Sequence, residues 1–434
     1  MNRLVRPFGI SLIGIGIGCN QWTLSLVFRE NGFHIANVLE KSSGAWDWSS
    51  LIMIWTFQIV CLVFGALTII YHQSPKKILL VATTLLSSTV VSFLLLEGIV
   101  RIISPSNMFS PELPLRPHNN LELRVSLDGV SPAVHNSTNK WGLRGDEPPS
   151  NWDSCLTMIV IGGSTAQCFY LDDHKTWPYL LQEKLKPLFP DAWVGNGGLS
   201  GHSTRGHIVF VRSVIARLRP RAAIFLVGVN DLGFSMNDEN RKYGNPAERT
   251  GWRQLLIRNS RLVQIAYLWK IILVDHAVVL DRGASSNFVP EKLEHEIELP
   301  ADLRRALPGL DEYANNLKTI IGDLRTFHVR PLFLTQPLLF DTTQEWATIV
   351  GRAYSVNGTK GLVSAETFAK MLTIYNQELL RVCDTENVES LDLASKIPHS
   401  REYFYDLMHF NEKGADTVAE TVADYFRSHP SGRN

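Results

Sequence analysis

Hydrophobic residues follow two different patterns along this chain. Before residue 104 they form long runs without charge, and no Asp, Glu, Lys or Arg occurs within residues 7–28, 48–75 and 78–96. An α-helix needs about 20 predominantly apolar residues to cross the hydrocarbon layer of a bilayer. We therefore predict that residues 1–104 form a membrane region of about three transmembrane helices, and the two most apolar of these cover residues 51–71 and 78–100.

The basic residues beside these runs predict an orientation. Arg3 and Arg6 precede the first run, and Lys76 and Lys77 lie between the second and the third. Basic residues that flank transmembrane helices stay on the cytoplasmic side of the membrane. With three transmembrane helices, both pairs of basic residues lie on that side. The chain after about residue 104 is therefore expected outside the cytoplasm, as part of a multi-pass membrane protein. A signal peptide is the alternative for the first run, but no clear small-x-small cleavage site follows it.

After residue 150 short apolar runs alternate with segments of helical periodicity. Strands are predicted at residues 157–161, 192–194, 222–227, 331–335 and 388–393, and helices at 177–188, 208–218, 303–327, 366–383 and 412–427. This alternation is typical of an α/β domain whose parallel sheet is covered by helices on both faces. We assign the domain to residues 151–430, with an insertion at about 233–300, and expect residues 105–150 to be a connecting segment with one hairpin.

Polar residues with chemical potential follow the predicted strands. Gly162-Gly163-Ser164-Thr165 follows the first strand, residues 196–201 follow the second, Gly228-Val229-Asn230-Asp231 follows the third, and Asp406-Leu407-Met408-His409 lies near the C-terminus. Reactive groups of open parallel sheets gather at the carboxyl ends of the strands. A serine becomes nucleophilic when a histidine removes its proton and a carboxylate orients that histidine. Ser164, His409 and Asp406 are therefore predicted to form a catalytic triad.

These four blocks, in this order, resemble the SGNH (GDSL) hydrolase family. The resemblance covers about residues 140–430 and implies a flavodoxin-like three-layer α/β/α fold with a mostly parallel five-stranded sheet. It also implies that the backbone of Ser164 and Gly201 and the side chain of Asn230 form the oxyanion hole, and that neither a metal nor an organic cofactor is needed. Gly163 departs from the family pattern, which has Asp before the serine.

Charge and cysteine content exclude other classes of protein. Lys+Arg and Asp+Glu both number 42, so no basic excess exists for binding nucleic acid. The five cysteines do not make a disulfide framework in a chain of this length, and we expect Cys155, Cys168 and Cys383 to be buried thiols.

Three further groups of polar residues are candidates for a metal site or a ligand-binding site. Residues 172–174 (Asp-Asp-His) are predicted to be a solvated loop, because no second cluster supports a metal site. His202 and His207 are expected at the surface, and Arg205 is the candidate for holding an anionic group.

The sequence thus predicts a membrane-anchored serine esterase that hydrolyses an acylated glycan or lipid, possible O-acetyl esters included, through an acyl-Ser164 intermediate. The α/β-hydrolase class is rejected because Ala166 replaces the final glycine of its Gly-x-Ser-x-Gly motif. Two alternatives stay open: an O-acyltransferase that uses the same triad beside a membrane acyltransferase partner, and a membrane-tethered binding domain whose catalysis has lapsed.

Overall fold

A computed structural model of the protein describes residues 115–238 and 290–429 continuously, together with the backbone of residues 280–285 and scattered residues elsewhere. The chain divides into two compact units, Met1–Pro105 and Ser106–Asn434. Most residues of the three predicted spans lie outside the described residues, as does most of the predicted insertion at 233–300. Among the residues that the structure describes, no helix combines the length and the hydropathy needed to cross a membrane.

The second unit is built around a central sheet. The described strands are, in chain order, β1 (Asn120–Ser126), β2 (Ala133–Ser137), β3 (Thr157–Gly162), β4 (Trp193–Asn196), β5 (Ala222–Leu226), β6 (Leu280–Ser285), β7 (Arg330–Leu334), β8 (Val350–Val356), β9 (Thr359–Ser364) and β10 (Glu389–Leu391). Five of them form one sheet in the order β10-β7-β5-β3-β4, and every neighbouring pair is parallel. This flavodoxin-like order confirms the predicted α/β fold with its five-stranded sheet.

Helices cover both faces of this sheet. In the second unit the described α-helices of four or more residues are α1 (Ser164–Gln167), α2 (Trp177–Leu185), α3 (Thr204–Phe210), α4 (Val229–Ser235), α5 (Leu310–Phe327), α6 (Ala365–Thr385) and α7 (Glu412–Ser428). A π-helical turn (Val211–Ile215) and a last α-helical turn (Ala216–Leu218) continue α3. Helix α2 packs against α7, whereas α5 packs against both α3 and α6. Strands β3, β4 and β5 are buried at every position, as expected for strands with helices on both sides.

The prediction of a single long helix over residues 303–327 is wrong in one respect. The structure has a short 3₁₀ helix at Leu303–Ala306 and starts α5 only at Leu310. Pro308 and Gly309 stand between them. Proline lacks the N–H that a continuous helix requires, and glycine lowers helix stability, so the helix is interrupted there.

Two hairpins lie outside the central sheet. The predicted connecting segment contains β1 and β2, which pair antiparallel with Leu123 opposite Val134 and bury these side chains in a small apolar cluster with Tyr405. The segment therefore packs into the second unit and also pairs its backbone with β6. The antiparallel pair β8 and β9 was not predicted.

Candidate active site

The nucleophile candidate lies at the carboxyl end of β3, next to the central strand β5 of the sheet. Ser164 is the first residue of α1, which is a single turn, and Cys168 ends that turn in the left-handed conformation with φ of 52°. One turn of helix leaves most of its carbonyl groups without an internal partner. Buried side chains supply these partners, which fixes the turn in place.

Three side chains bind the carbonyl groups of α1 and its end. Trp177 Nε1 donates to the Thr165 carbonyl at 3.2 Å, and Asn196 Nδ2 donates to the Ala166 carbonyl at 2.9 Å. Arg144 Nη1 donates to the Cys168 carbonyl at 2.6 Å. Because these donors come from separate elements, the position of Ser164 depends on the whole second unit and not on its own short helix.

The structure brings Ser164, His409 and Asp406 into one hydrogen-bonded chain. His409 Nε2 lies 2.7 Å from Ser164 Oγ, and His409 Nδ1 lies 2.7 Å from Asp406 Oδ2. Both distances are within the range expected for a nucleophile and its base and for the base and its orienting carboxylate. Ser164 and His409 are 245 positions apart in the chain, and Ser164 follows β3 directly whereas Asp406 and His409 lie in the segment between β10 and α7.

Asp406 also organises the loop that carries His409. Its Oδ1 accepts the backbone N–H of Met408 at 2.9 Å and that of His409 at 2.8 Å. Burial on its own would raise the pKa of Asp406, but the hydrogen bonds from His409 and from these backbone groups outweigh it and hold the pKa below its usual value. The carboxylate therefore stays ionised and accepts hydrogen bonds from the His409 ring and from the backbone of its own loop.

An aromatic ring supports the imidazole from one side. The ring of Tyr405 lies parallel to that of His409, with centroids 5.6 Å apart and an angle of 8° between the planes. Tyr405 is buried, and Tyr170 meets it edge to face. No sequence pattern predicts this contact, because an aromatic residue at such a position is common in any buried segment.

The predicted oxyanion donors lie on two loops that are tied together. Gly201 has φ of 78°, a left-handed conformation that glycine adopts without strain. Asn230 Nδ2 donates to the His202 carbonyl at 2.8 Å, which joins the loop after β5 to the loop after β4. An asparagine amide has two hydrogens, so the second can be donated to a substrate oxygen. Asp231 adds a further link, because its Oδ1 accepts the Thr204 N–H at 3.0 Å.

The position of Asn230 explains the departure at Gly163. A Cβ atom added at Gly163 would lie 2.0 Å from Asn230 Nδ2, which is far inside van der Waals contact. The backbone of Gly163 has φ of −86°, so no left-handed conformation requires glycine here. The glycine is therefore needed for the close approach of the Asn230 amide in this chain.

A buried ion pair lies behind α1 and was not predicted. Arg144 Nε contacts Asp173 Oδ1 at 2.6 Å, and the two side chains are 4% and 8% exposed. Asp173 also accepts the Ser137 N–H at 2.9 Å and lies 3.1 Å from His135 Nδ1. The prediction of a solvated loop at residues 172–174 is thus wrong for Asp173, which links the β1–β2 hairpin to the nucleophile turn through Arg144.

We expect Arg144→Met to lower the free energy of unfolding by about 3 kcal/mol, because it removes the cationic partner of the buried Asp173 carboxylate. Urea unfolding of the full-length chain, followed by tryptophan fluorescence, measures this loss. The matched control is Arg212→Met, which removes an exposed ion pair with Asp323 and should cost at most about 1 kcal/mol. The double variant Arg144→Met/Asp173→Leu should recover part of the loss. Equal losses for the two Arg→Met variants would contradict the structural role of Arg144.

The structure places His202, His207 and Arg205 differently from the sequence-based expectation. His202 and His207 are both 2% exposed and are not surface residues. Burial, reinforced by the neighbouring His202, lowers the pKa of His207 to about 3, so its ring is neutral. Arg205 contacts Glu312 and lies over the ring of Phe234, so its charge is already paired within the protein.

The cysteine expectation is confirmed for the described part of the chain. Cys155, Cys168 and Cys383 are buried thiols without a disulfide. Burial raises the pKa of Cys168 to about 11 and that of Cys383 to about 12, so both thiols stay protonated and are poor nucleophiles.

A three-layer α/β/α domain with a Ser–His–Asp chain at its carboxyl edge defines a class of serine-dependent hydrolases. The model of the GDSL-like lipase/acylhydrolase family matches residues 160–417, which is more than half of the chain. The protein belongs to this family and is an ester-hydrolysing enzyme.

Several solved structures match part of the chain at low sequence identity. An α/β hydrolase from the metagenome of Lake Arreo, Spain, is 14% identical, with a TM-score of 0.36 over 62% of this chain and 94% of that one. An acetylxylan esterase from Geobacillus stearothermophilus is 12% identical, with a TM-score of 0.36 over 63% and 94% of the two chains. A lipase/acylhydrolase from Enterococcus faecalis is 12% identical, with a TM-score of 0.35 over 64% and 99%. No curated protein matches the sequence.

Proposed function

We propose that the protein is a serine esterase that cleaves an acyl ester through an acyl-Ser164 intermediate. The observation that carries the proposal is the continuous hydrogen-bonded chain from Ser164 Oγ through the His409 ring to Asp406. A serine that only capped a helix would not need a histidine at 2.7 Å that is itself held by a carboxylate.

In the first half of the reaction, Ser164 Oγ attacks the ester carbonyl carbon while His409 Nε2 takes the hydroxyl proton. The tetrahedral intermediate then expels the alcohol, which leaves with the proton that His409 returns, and the acyl group remains on Ser164. In the second half a water molecule attacks the acyl group while His409 takes one of its protons. Breaking the bond to Ser164 then releases the carboxylic acid, and His409 returns its proton to Ser164 Oγ, which restores the serine hydroxyl.

Both tetrahedral intermediates carry an oxyanion that needs hydrogen-bond donors. We assign this role to the backbone N–H groups of Ser164 and Gly201 and to the Asn230 side chain. The link from Asn230 to the His202 carbonyl supports the assignment, because it holds the amide and the Gly201 loop in one fixed arrangement. Donors fixed before the reaction stabilise the transition state without reorganisation.

We expect Asn230→Ala to lower kcat by about 10²–10³ with little change in KM, because the lost donor acts mainly in the transition state. Gly163→Ala should also lower kcat, since its methyl group displaces the Asn230 amide. The double variant Gly163→Ala/Asn230→Ala should then be no slower than Asn230→Ala alone. Steady-state kinetics on p-nitrophenyl acetate measure all three. A loss confined to KM would mean that Asn230 only positions substrate, and additive losses would show that Gly163 acts elsewhere.

The membrane region and its orientation are also part of the proposal. Three spans between residues 7 and 100, with basic residues on the cytoplasmic side, would place the esterase domain outside the cytoplasm. A fluorescent reporter that matures only in the cytoplasm, fused after Asn434, should be dark. The same reporter fused between the second and third runs, beside Lys77, should be bright. A bright signal from the Asn434 fusion would contradict the three-span topology.

The enzymatic proposal is tested on the full-length chain with p-nitrophenyl esters and a panel of acetylated glycans and acylated lipids. Hydrolysis that stops after treatment with a fluorophosphonate would support a serine esterase. Adding glycan acceptors without ester groups distinguishes the transferase alternative, because a transferase would acylate the acceptor faster than it releases acid. A chain that neither hydrolyses an ester nor reacts with the fluorophosphonate would favour the lapsed binding domain.

A further inference from the structure

A cavity of about 310 Å³ is lined by residues outside the triad and the oxyanion donors and has no role in the mechanism above. It opens at the carboxyl edge of the sheet between the loop after β7, the middle of α6 and the loop after β10. Its volume is at the lower end of the range of roughly 300–1,000 Å³ that is typical of ligand pockets. The cavity is therefore large enough for one small ligand or for one part of a larger substrate.

One wall of the cavity is joined to both halves of the proposed triad. Gln336 lines the cavity, and its Oε1 accepts the hydroxyl of Thr165, the neighbour of Ser164, at 3.0 Å. Three residues further on, the Leu339 N–H donates to the carbonyl of Leu407, in the loop that carries His409, at 2.9 Å. The segment after β7 therefore connects the cavity wall to the neighbour of Ser164 and to the loop of His409.

The lining combines an apolar surface with acceptor groups. Leu338, Phe340, Leu372 and Leu380 contribute the apolar part. Asp341 and Asp392 contribute two carboxylates, each of which uses its Oδ1 for a threonine hydroxyl at 2.6 or 2.8 Å. A carboxylate has a second oxygen, so Oδ2 of each remains for hydroxyl donors of a ligand.

The charge of the lining restricts the ligand. Burial would raise the pKa of Asp341, but hydrogen bonds from Thr343 outweigh it and hold the pKa below its usual value, so the group is ionised. No described residue that lines the cavity is Lys or Arg, and the one histidine, His399, has its Nδ1 2.9 Å from the Leu338 carbonyl. A phosphate or carboxylate on the ligand would face two carboxylates with no lysine or arginine among the described lining residues.

We propose that this cavity binds the alcohol part of the ester substrate and that this alcohol is a neutral sugar of a glycan. A sugar ring offers apolar C–H faces to the leucines and hydroxyl donors to the carboxylates, which is the combination that the lining provides. The inference rests on the proposed esterase function, because it concerns the group that leaves from the same active site. A glycan is therefore favoured over an anionic lipid as the substrate.

The test uses a matched pair of variants on one helix. Thr373 and Thr385 both lie exposed on α6, and each hydroxyl donates to the carbonyl four residues earlier, at 2.9 and 2.8 Å. Thr373 lines the cavity, whereas Thr385 does not. A tryptophan at residue 373 would fill the cavity, while a tryptophan at residue 385 makes the same chemical change elsewhere on the helix.

With the full-length chain, kcat/KM is measured for an O-acetylated xylo-oligosaccharide, which is neutral, for an O-acetylated oligogalacturonide, which is anionic, and for p-nitrophenyl acetate. We expect Thr373→Trp to lower the ratio of the neutral glycan to p-nitrophenyl acetate by about tenfold or more, whereas Thr385→Trp leaves it within about twofold. The unmodified chain should prefer the neutral to the anionic glycan. An unchanged ratio for Thr373→Trp, or preference for the anionic glycan, would overturn the proposal.

A binding measurement separates this inference from the esterase proposal. The Ser164→Ala chain should still bind the neutral oligosaccharide by titration calorimetry, and adding Thr373→Trp should weaken that binding by about tenfold. Hydrolysis of p-nitrophenyl acetate without any binding of the glycan would overturn the cavity assignment alone. Glycan binding by a chain that hydrolyses no ester would overturn the esterase function and leave the cavity as a sugar-binding site.

Discussion

Replacing Ser164 with alanine should reduce ester hydrolysis by about 10⁶-fold, to the level that binding and the oxyanion donors alone can support. The reason is chemical, because Ser164 combines a strand-end turn with a histidine base at 2.7 Å. Without the hydroxyl no acyl-enzyme forms, and water would have to attack the ester directly. Initial rates with p-nitrophenyl acetate measure the loss, and a thermal melting curve shows whether the variant is folded.

Fluorophosphonate labelling tests the identity of the nucleophile independently of turnover. A single adduct is expected on Ser164, located by mass spectrometry of the digested full-length chain. Ser200 and Ser203 are the informative competitors, because they lie in the oxyanion loop close to the same site. An adduct on either of them with Ser164 unmodified would overturn the assignment of the nucleophile.

Replacing His409 with alanine should be almost as damaging as replacing Ser164. The two residues act as one unit, so the double variant Ser164→Ala/His409→Ala should be no slower than either single variant. The His409 ring also carries the hydrogen bond to Asp406 and stacks on Tyr405, so the melting curve is again the control for folding. A variant that retains more than about a hundredth of the activity would show that another group removes the serine proton.

Asp406→Asn should have a smaller effect, of about 10⁴-fold, because the histidine can still adopt the useful tautomer for part of the time. The variant also loses charge, and the asparagine keeps an oxygen that can accept the backbone N–H groups of Met408 and His409. The loop should therefore keep its structure while kcat falls. An Asp406→Asn variant with unchanged kcat would mean that Asp406 only holds the loop.

Much of the central sheet was accessible from the sequence because its strands are buried on both faces. Such strands appear as short continuous apolar runs, and the runs at 157–161 and 222–227 correspond to β3 and β5. Parallel strands that end at one edge bring the residues that follow them together. For this reason Ser164, Asn230 and the Asp406–His409 block were expected at a common site, although 242 positions separate Ser164 from Asp406.

Other features depend on contacts that leave no periodic pattern. The break before α5 had a local signal in Pro308 and Gly309, but helical periodicity on both sides obscured it. Arg144 and Asp173 are polar residues in segments of loop composition, and their burial follows only from the carbonyl groups of α1 that Arg144 must satisfy. Charged residues in loop segments are expected to be exposed, whereas the tertiary structure buries these two side chains.

The sequence by itself therefore determined the α/β class, the sheet strands and the residues that follow them, because hydrophobic burial and strand direction act locally along the chain. Only the tertiary structure decided the 2.7 Å hydrogen bonds among Ser164, His409 and Asp406, the close approach of Asn230 to Gly163, and the cavity beside Gln336. Each of these joins segments that are far apart in the chain, and side-chain geometry at such distances is set by packing rather than by local propensity.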